Sequence, residues 1–156
     1  MPGSELPYLT HVGMVAMEVA AAVSAEPQHD GTLAVLCALL HDCVEDTDVE
    51  LATVEETFGA DVAAGVSALT KDETLPKPER MPDSLRRIRE QPRSVWIVKL
   101  ADRITNLQRP PAHWSTDKAR RYRMEAMRIR EALGEASPYL SGRIDAKIAA
   151  YEEFIR

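Results

Sequence analysis

The sequence predicts an all-α fold. Three observations carry this: helical periodicity in nearly every segment, helix-starting and helix-stopping residues between the segments, and the absence of a hairpin signal or sustained period-two run. Val12, Val15, Ala16, Val19, Ala20 and Val23 recur at i, i+3, i+4, i+7, i+8 and i+11, the apolar stripe of an amphipathic helix of about four turns. Asp30 is placed to cap a second helix, whose run from Leu33 to Leu40 is apolar all round. A helix of that kind belongs at the centre of a bundle. After an acidic turn around Glu45 to Asp48, Leu51 to Phe58 reads as a short helix stopped by Gly59, and Asp61 to Leu69 as another. Thr74-Leu75-Pro76-Lys77-Pro78, with Pro82 soon after, marks a loop. Ser94 opens a mostly apolar run from Val95 to Leu107 that carries Lys99, Asp102, Arg103 and Asn106 and is ended by Pro110 and Pro111. Ser115 caps a basic helix through Leu133, stopped by Gly134, and Ser137-Pro138 provides an N-cap and a first-turn proline for the last helix.

The 156 residues suit one domain spanning 1–156, and 45% hydrophobic with 28% charged residues excludes disorder. No apolar run approaches the roughly 18 residues of a membrane span, and the start MPGSELPYLTH lacks the features of a signal peptide. This predicts a cytoplasmic protein without a membrane partner. Nineteen Lys+Arg against 25 Asp+Glu leave a net charge of −6, which argues against DNA or RNA as partner, because phosphate-backbone affinity needs many cations. A small anionic substrate then requires local positive charge, such as a metal. Cys37 and Cys43 are separated by a helical rise of about 9 Å, beyond disulfide reach, and are read as reduced thiols.

Three places can carry chemistry. His41-Asp42 ends the apolar second helix and is followed by Glu45 and Asp46; such crowding of like charge at the rim of a core is costly unless a cation sits there. Asp102 lies in an otherwise apolar helix with Asn106 one turn on, and His11 opens the first helix facing the interior. Singly, each has a plain reading: a solvated turn, an internal salt bridge with Lys99 or Arg103, a cap. Together, two imidazoles and two carboxylates from three helices form a mixed N/O donor set suited to Mn²⁺, Fe²⁺ or Zn²⁺, with coordination positions left for water and substrate. Glu45 and Asp46 are then placed to accept a proton from the attacking water. GxGxxG, Walker A, CxxC and GxSxG signatures are absent.

His11, HDCVEDT at 41–47 and KLADRITNL at 99–107, in this order and spacing, resemble the HD-domain metal-dependent phosphohydrolases. LPYLTH at 6–11, TLPK at 74–77 and Trp114 with Tyr122 are similar to the (p)ppGpp hydrolase branch, the hydrolase domain of RelA/SpoT proteins and the small alarmone hydrolases. The resemblance implies an HD-domain helical bundle and a Mn²⁺-like ion on His11, His41, Asp42 and Asp102. It further implies Glu45 and Asp46 as the catalytic acidic pair, and substrate contacts from Asn106 and Tyr122. The implied reaction is hydrolysis of the 3′-diphosphate of guanosine 3′,5′-bis(diphosphate) to GDP or GTP and pyrophosphate. With no room for a synthetase domain in 156 residues, a stand-alone hydrolase of a small guanine nucleotide is expected. The sequence leaves the oligomeric state open, a homodimer included.

Two positions depart from the branch. None of the ten residues before His11 is Lys or Arg, where the branch carries a basic pair that helps hold the nucleotide, so either the chain lacks that element or its start lies upstream; and Glu73 stands where a relative can carry lysine. The stretch from Lys118 to Arg130 is read as a solvated basic face, with the alternative that one or two of its arginines meet substrate phosphates. His29 is read as part of a surface turn, and His113 as an ordinary loop residue rather than a fifth ligand. The competing functions are an HD phosphohydrolase acting on a nucleotide monophosphate or NADPH, a nucleotide-binding module without turnover, and a bundle whose polar residues only cap and solubilise.

Overall fold

In the computed structural model, which describes residues 7–155, the helix α7 (Arg93–Asn106) is the one the others pack around. Every residue from Ser94 to Thr105 is buried, Lys99, Asp102 and Arg103 included. It contacts α1 (Tyr8–Ala25), α2 (Gly31–Leu40), α6 (Lys77–Arg89), α8 (Thr116–Leu133) and α9 (Pro138–Ala150). The short α3 (Cys43–Asp46) and the pair α4 (Leu51–Phe58) and α5 (Ala60–Leu69) complete an all-α bundle with no strand among the described residues. Leu6, which opens the LPYLTH segment, lies outside the described residues.

The caps at Asp30, Ser115 and Ser137 form as predicted, each side-chain oxygen accepting a backbone N–H three residues on. Gly59 ends α4 at φ +90°, a conformation that excludes most side chains. The central helix is not the one expected. α2 buries only Leu33, Ala34, Cys37 and Ala38, and Leu39 is exposed. α7 is central because its charged residues are neutralised within the core. Ser94 lies inside α7 rather than at its cap, and its Oγ accepts the backbone N–H of Asp30, tying α7 to the start of α2.

The proline-rich segment is also shorter as a loop than the sequence suggests, because Lys77, Pro78 and Pro82 belong to α6. Pro78 sits in the first turn, where a missing N–H costs nothing, whereas Pro82 removes an interior bond at a cost of about 3 kcal/mol. Burial of Leu85 and Ile88, worth roughly 1.5–3 kcal/mol each, offsets that loss. Ser84 Oγ donates to the Ala68 carbonyl, and Arg87 donates to the carbonyls of Ser67 and Thr70 at the end of α5. His29 is not on the surface: it is buried, 3.6 Å from Glu26, whose other oxygen accepts the backbone N–H of Tyr139 at the start of α9. Cys37 and Cys43 are free thiols, and burial pushes Cys37 up to about 12.

By length and composition the 18 residues of α1 are enough to cross a membrane, contrary to the sequence expectation. It is used here as a bundle helix, with His11, Val15, Val19 and Ala22 buried against its neighbours.

α5 approaches α2 and α7 through Gly65, where an added Cβ would lie 2.6 Å from Cys37 Sγ and 3.1 Å from Val95 Cγ2. Alanine gains about 0.5–1 kcal/mol in helix propensity, but overpacking costs about 1–3 kcal/mol, so the clash decides. Gly65→Ala is therefore expected to lower the urea midpoint, and adding Cys37→Ala to recover part of the loss; a midpoint that rises in Gly65→Ala would contradict this packing.

Candidate functional site

Asp102 projects from the buried face of α7 toward α1 and the end of α2. His11 Nε2 lies 3.4 Å and His41 Nε2 3.8 Å from its Oδ1, and the three residues present ligand atoms all within 4.8 Å of one another. Lys99 Nζ donates to Asp102 Oδ2 at 3.0 Å, and Asn106 Nδ2 to Oδ1 at 2.6 Å. Burial alone would push this carboxyl up. The Lys99 ammonium, His11, His41 and Arg103 outweigh burial and hold it well below the usual carboxylate range.

Both imidazoles are oriented from behind. His41 Nδ1 lies 2.8 Å from the Ala38 carbonyl, which can only accept, so the ring proton is on Nδ1 and Nε2 carries a lone pair. The Thr105 hydroxyl donates to the Asp102 carbonyl, which leaves Oγ1 to accept from His11 Nδ1 at 3.4 Å. His41 Nε2 is buried without a hydrogen-bond partner. Burial opposes protonation of His41, yet Asp42 and Asp102 outweigh it and raise the imidazole, so the site draws positive charge toward Nε2. An orphaned nitrogen, a second imidazole and an ionised carboxylate sharing one small volume fit a divalent cation.

Asp42 adjoins this set through the two imidazoles. The chain breaks from α2 at His41 and restarts at Asp42, the N-cap of α3, whose side chain makes no capping bond. Its Oδ2 lies 3.1 Å from His41 Nε2 and 4.0 Å from His11 Nε2, and it accepts the hydroxyl of Tyr8. Burial, together with Asp42 and Asp46, pushes the Tyr8 hydroxyl up, so it remains a donor.

Asp102, with Asp42, opens the cluster onto a cavity of about 400 Å³ that is also lined by Glu45, Asp46, Asn106 and Tyr122. Glu45 is bound by Lys71, and Asp46 is exposed. Tyr122 packs edge-on to Trp114, with ring centroids 5.2 Å apart, and the Arg103 guanidinium lies 4.3 Å from the centre of its ring. Arg103 is buried, with Nη2 3.4 Å from Glu125 and two nitrogens lacking partners. Lys71, Lys77, Arg80, Lys99 and Arg103 are the cavity's cations, and all come after residue 70: the first 70 residues contain no Lys or Arg. The basic helix α8 contributes only Tyr122 and Glu125 among the described residues; its Arg120, Arg123 and Arg130 pair with Asp117, Glu152 and Asp145. Glu73 lines the cavity and pairs with Arg80 at 3.4 Å, and His113 is exposed. Sequence reasoning assigned no role to Tyr8, Lys71 or Thr105. Tyr8 lies one helical turn before His11, a spacing that could have found it; Lys71 and Thr105 meet their partners only in the folded chain.

An all-α bundle with a His, His, Asp cluster at the junction of three helices is the build of an HD domain. Residues 2–137 match the HD domain family, and the chain belongs to that family. It is 33% identical over 143 residues to guanosine-3′,5′-bis(diphosphate) 3′-pyrophosphohydrolase MESH1 of Xenopus tropicalis, covering 89% of this chain and 78% of that protein. It is 35% identical over 129 residues to the bifunctional (p)ppGpp synthase/hydrolase SpoT of Escherichia coli, covering 79% of this chain and 17% of SpoT. A solved structure of a metazoan ortholog of SpoT that hydrolyzes ppGpp superposes with a TM-score of 0.77 at 28% identity, covering 97% of this chain and 84% of that one.

Asp102→Ala removes the acid of the cluster and leaves Lys99 buried without its partner, a change that costs about 3–5 kcal/mol. Protein purified without chelator is expected to carry about one divalent cation per chain, and the variant none; full metal content in Asp102→Ala would exclude this cluster as the binding site.

Proposed function

We infer that the chain is a divalent-metal-dependent phosphohydrolase that cleaves the 3′-diphosphate from guanosine 3′,5′-bis(diphosphate), or its pentaphosphate form, giving GDP or GTP and pyrophosphate. The observation that carries the reading is the meeting of His11, His41 and Asp102, the last of which lines a cavity together with Glu45, Asp46 and Tyr122. The relatives named above support the substrate.

His11, His41 and Asp102, with Asp42 beside them, would hold the cation, and their mixed N/O character suits Mn²⁺, with Fe²⁺ and Zn²⁺ as alternatives. When bound, such an ion polarises a phosphoryl oxygen and lowers the pKa of water. Lys99 and Asn106 orient Asp102, while Thr105 and the Ala38 carbonyl orient the imidazoles. Hydrolysis adds water across the bond between the ribose 3′ oxygen and the diphosphate, so the attacking water must lose a proton. Glu45 and Asp46, on the cavity wall, accept it. Tyr122, backed by Trp114 and Arg103, offers an aromatic face to the base, and Asn106 lies within reach of substrate in the same cavity. Lys77 and Arg80, which line the cavity, supply countercharge for phosphates.

Protein supplied with Mn²⁺ and guanosine 3′,5′-bis(diphosphate) is expected to release pyrophosphate, and Asp46→Asn to lower kcat by about 10²–10⁴-fold with little change in KM. A panel including NADPH and nucleotide monophosphates tests the substrate. Faster release of orthophosphate from one of those would reassign it, and tight nucleotide binding without turnover would replace hydrolysis by sensing.

A further inference from the structure

Lys71 follows Thr70, the C-cap of α5, and meets a residue 26 positions earlier in the chain. Its Nζ donates to Glu45 Oε1 at 2.7 Å and its backbone N–H to Glu45 Oε2 at 3.1 Å, so one residue binds both oxygens of the carboxylate. We propose that Lys71 is the positioning residue for Glu45, holding that carboxylate at the cavity wall in the orientation that accepts the proton of the attacking water. The inference rests on the role given to Glu45 above.

Glu45 has little else to hold it. It sits on a four-residue helix with no buried side chain, and helices that short have almost no stability of their own. Asp42, Asp46 and Asp102 line the same cavity, and their charge would drive a free Glu45 carboxylate outward to solvent. Three of the cavity's other four cations are engaged elsewhere: Lys99 on Asp102, Arg103 on Tyr122 and Glu125, and Arg80 on the carbonyls of Glu73 and Leu75. Burial works against the Lys71 ammonium, but Glu45 outweighs it and raises the group. Because the backbone N–H contact survives any side-chain change other than proline, loss of the ammonium loosens Glu45 without unfolding α3.

The test is the steady-state rate of pyrophosphate release by the full chain with Mn²⁺, for wild type, Lys71→Met, Lys71→Arg, Glu45→Gln and the double variant Lys71→Met/Glu45→Gln. Lys71→Met is expected to lower kcat by about 10–100-fold, part of the roughly 10²–10⁴-fold that a positioned proton acceptor contributes, with KM within about threefold of wild type. Lys71→Arg restores most of the rate, and Lys71→Met has no further effect once Glu45 is Gln. A raised KM at unchanged kcat, or effects that multiply in the double variant, overturns the proposal and makes Lys71 a substrate ligand. Wild-type rates in Glu45→Gln overturn the role of Glu45 itself, and the proposal with it. If Lys71→Met does not fold, Lys71→Gln replaces it in the same comparison.

Discussion

Asp102 is an ionised carboxylate inside the most deeply buried helix of the molecule. Removing such a group from water costs several kcal/mol, and it stays ionised only because Lys99, Asn106 and two imidazoles surround it. Those partners come from α1, the end of α2 and α7 itself, so the packing of these elements and the solvation of one charge are the same constraint. A bundle in which α1 shifted along α7 would lose the electrostatic compensation along with its apolar contacts. Without that compensation α7 could not occupy the centre.

The same arrangement explains why a cation belongs there. Each imidazole donates its Nδ1 proton away from the cluster, to Thr105 or to the Ala38 carbonyl, and turns a lone pair inward toward carboxylate oxygens. Lone pairs facing carboxylates repel unless positive charge lies between them. A proton on His41 meets part of that demand, and a divalent ion meets more of it, using both rings and Asp102 together. Occupancy of the site therefore also stabilises the junction of the three helices.

Local signals in the sequence made most of the fold legible. Caps at Asp30, Ser115 and Ser137 and the stop at Gly59 depend on residues within a few positions, and they form as read. What escaped was set by tertiary contact. The helix through Pro82 is hidden because proline signals a break, while the burial of Leu85 and Ile88 that outweighs it depends on α5 and α7. The central place of α7 is hidden because its charges are neutralised by distant partners. In the site, His11, His41 and Asp102 are legible because ionisable residues in apolar helices need an explanation, and Asp42 follows from its neighbour. Lys71 carries no such mark: an exposed loop lysine has the same local sequence whether or not it reaches Glu45.

The absence of Lys and Arg from the first 70 residues means that every cation of the cavity comes from the later part of the chain. Asp42, Glu45 and Asp46 line it from the earlier part, and Lys71, Lys77, Arg80 and Arg103 from the later, with Glu73, Asp102 and Glu125 among them. The field across the opening therefore has a direction, and a polyanion drifting toward an acidic protein is repelled from most angles but drawn in along the lysine and arginine side. Encounter becomes orientation-selective before any contact is made, and the rate of capture should weaken as ionic strength rises and mobile salt shortens the reach of that field.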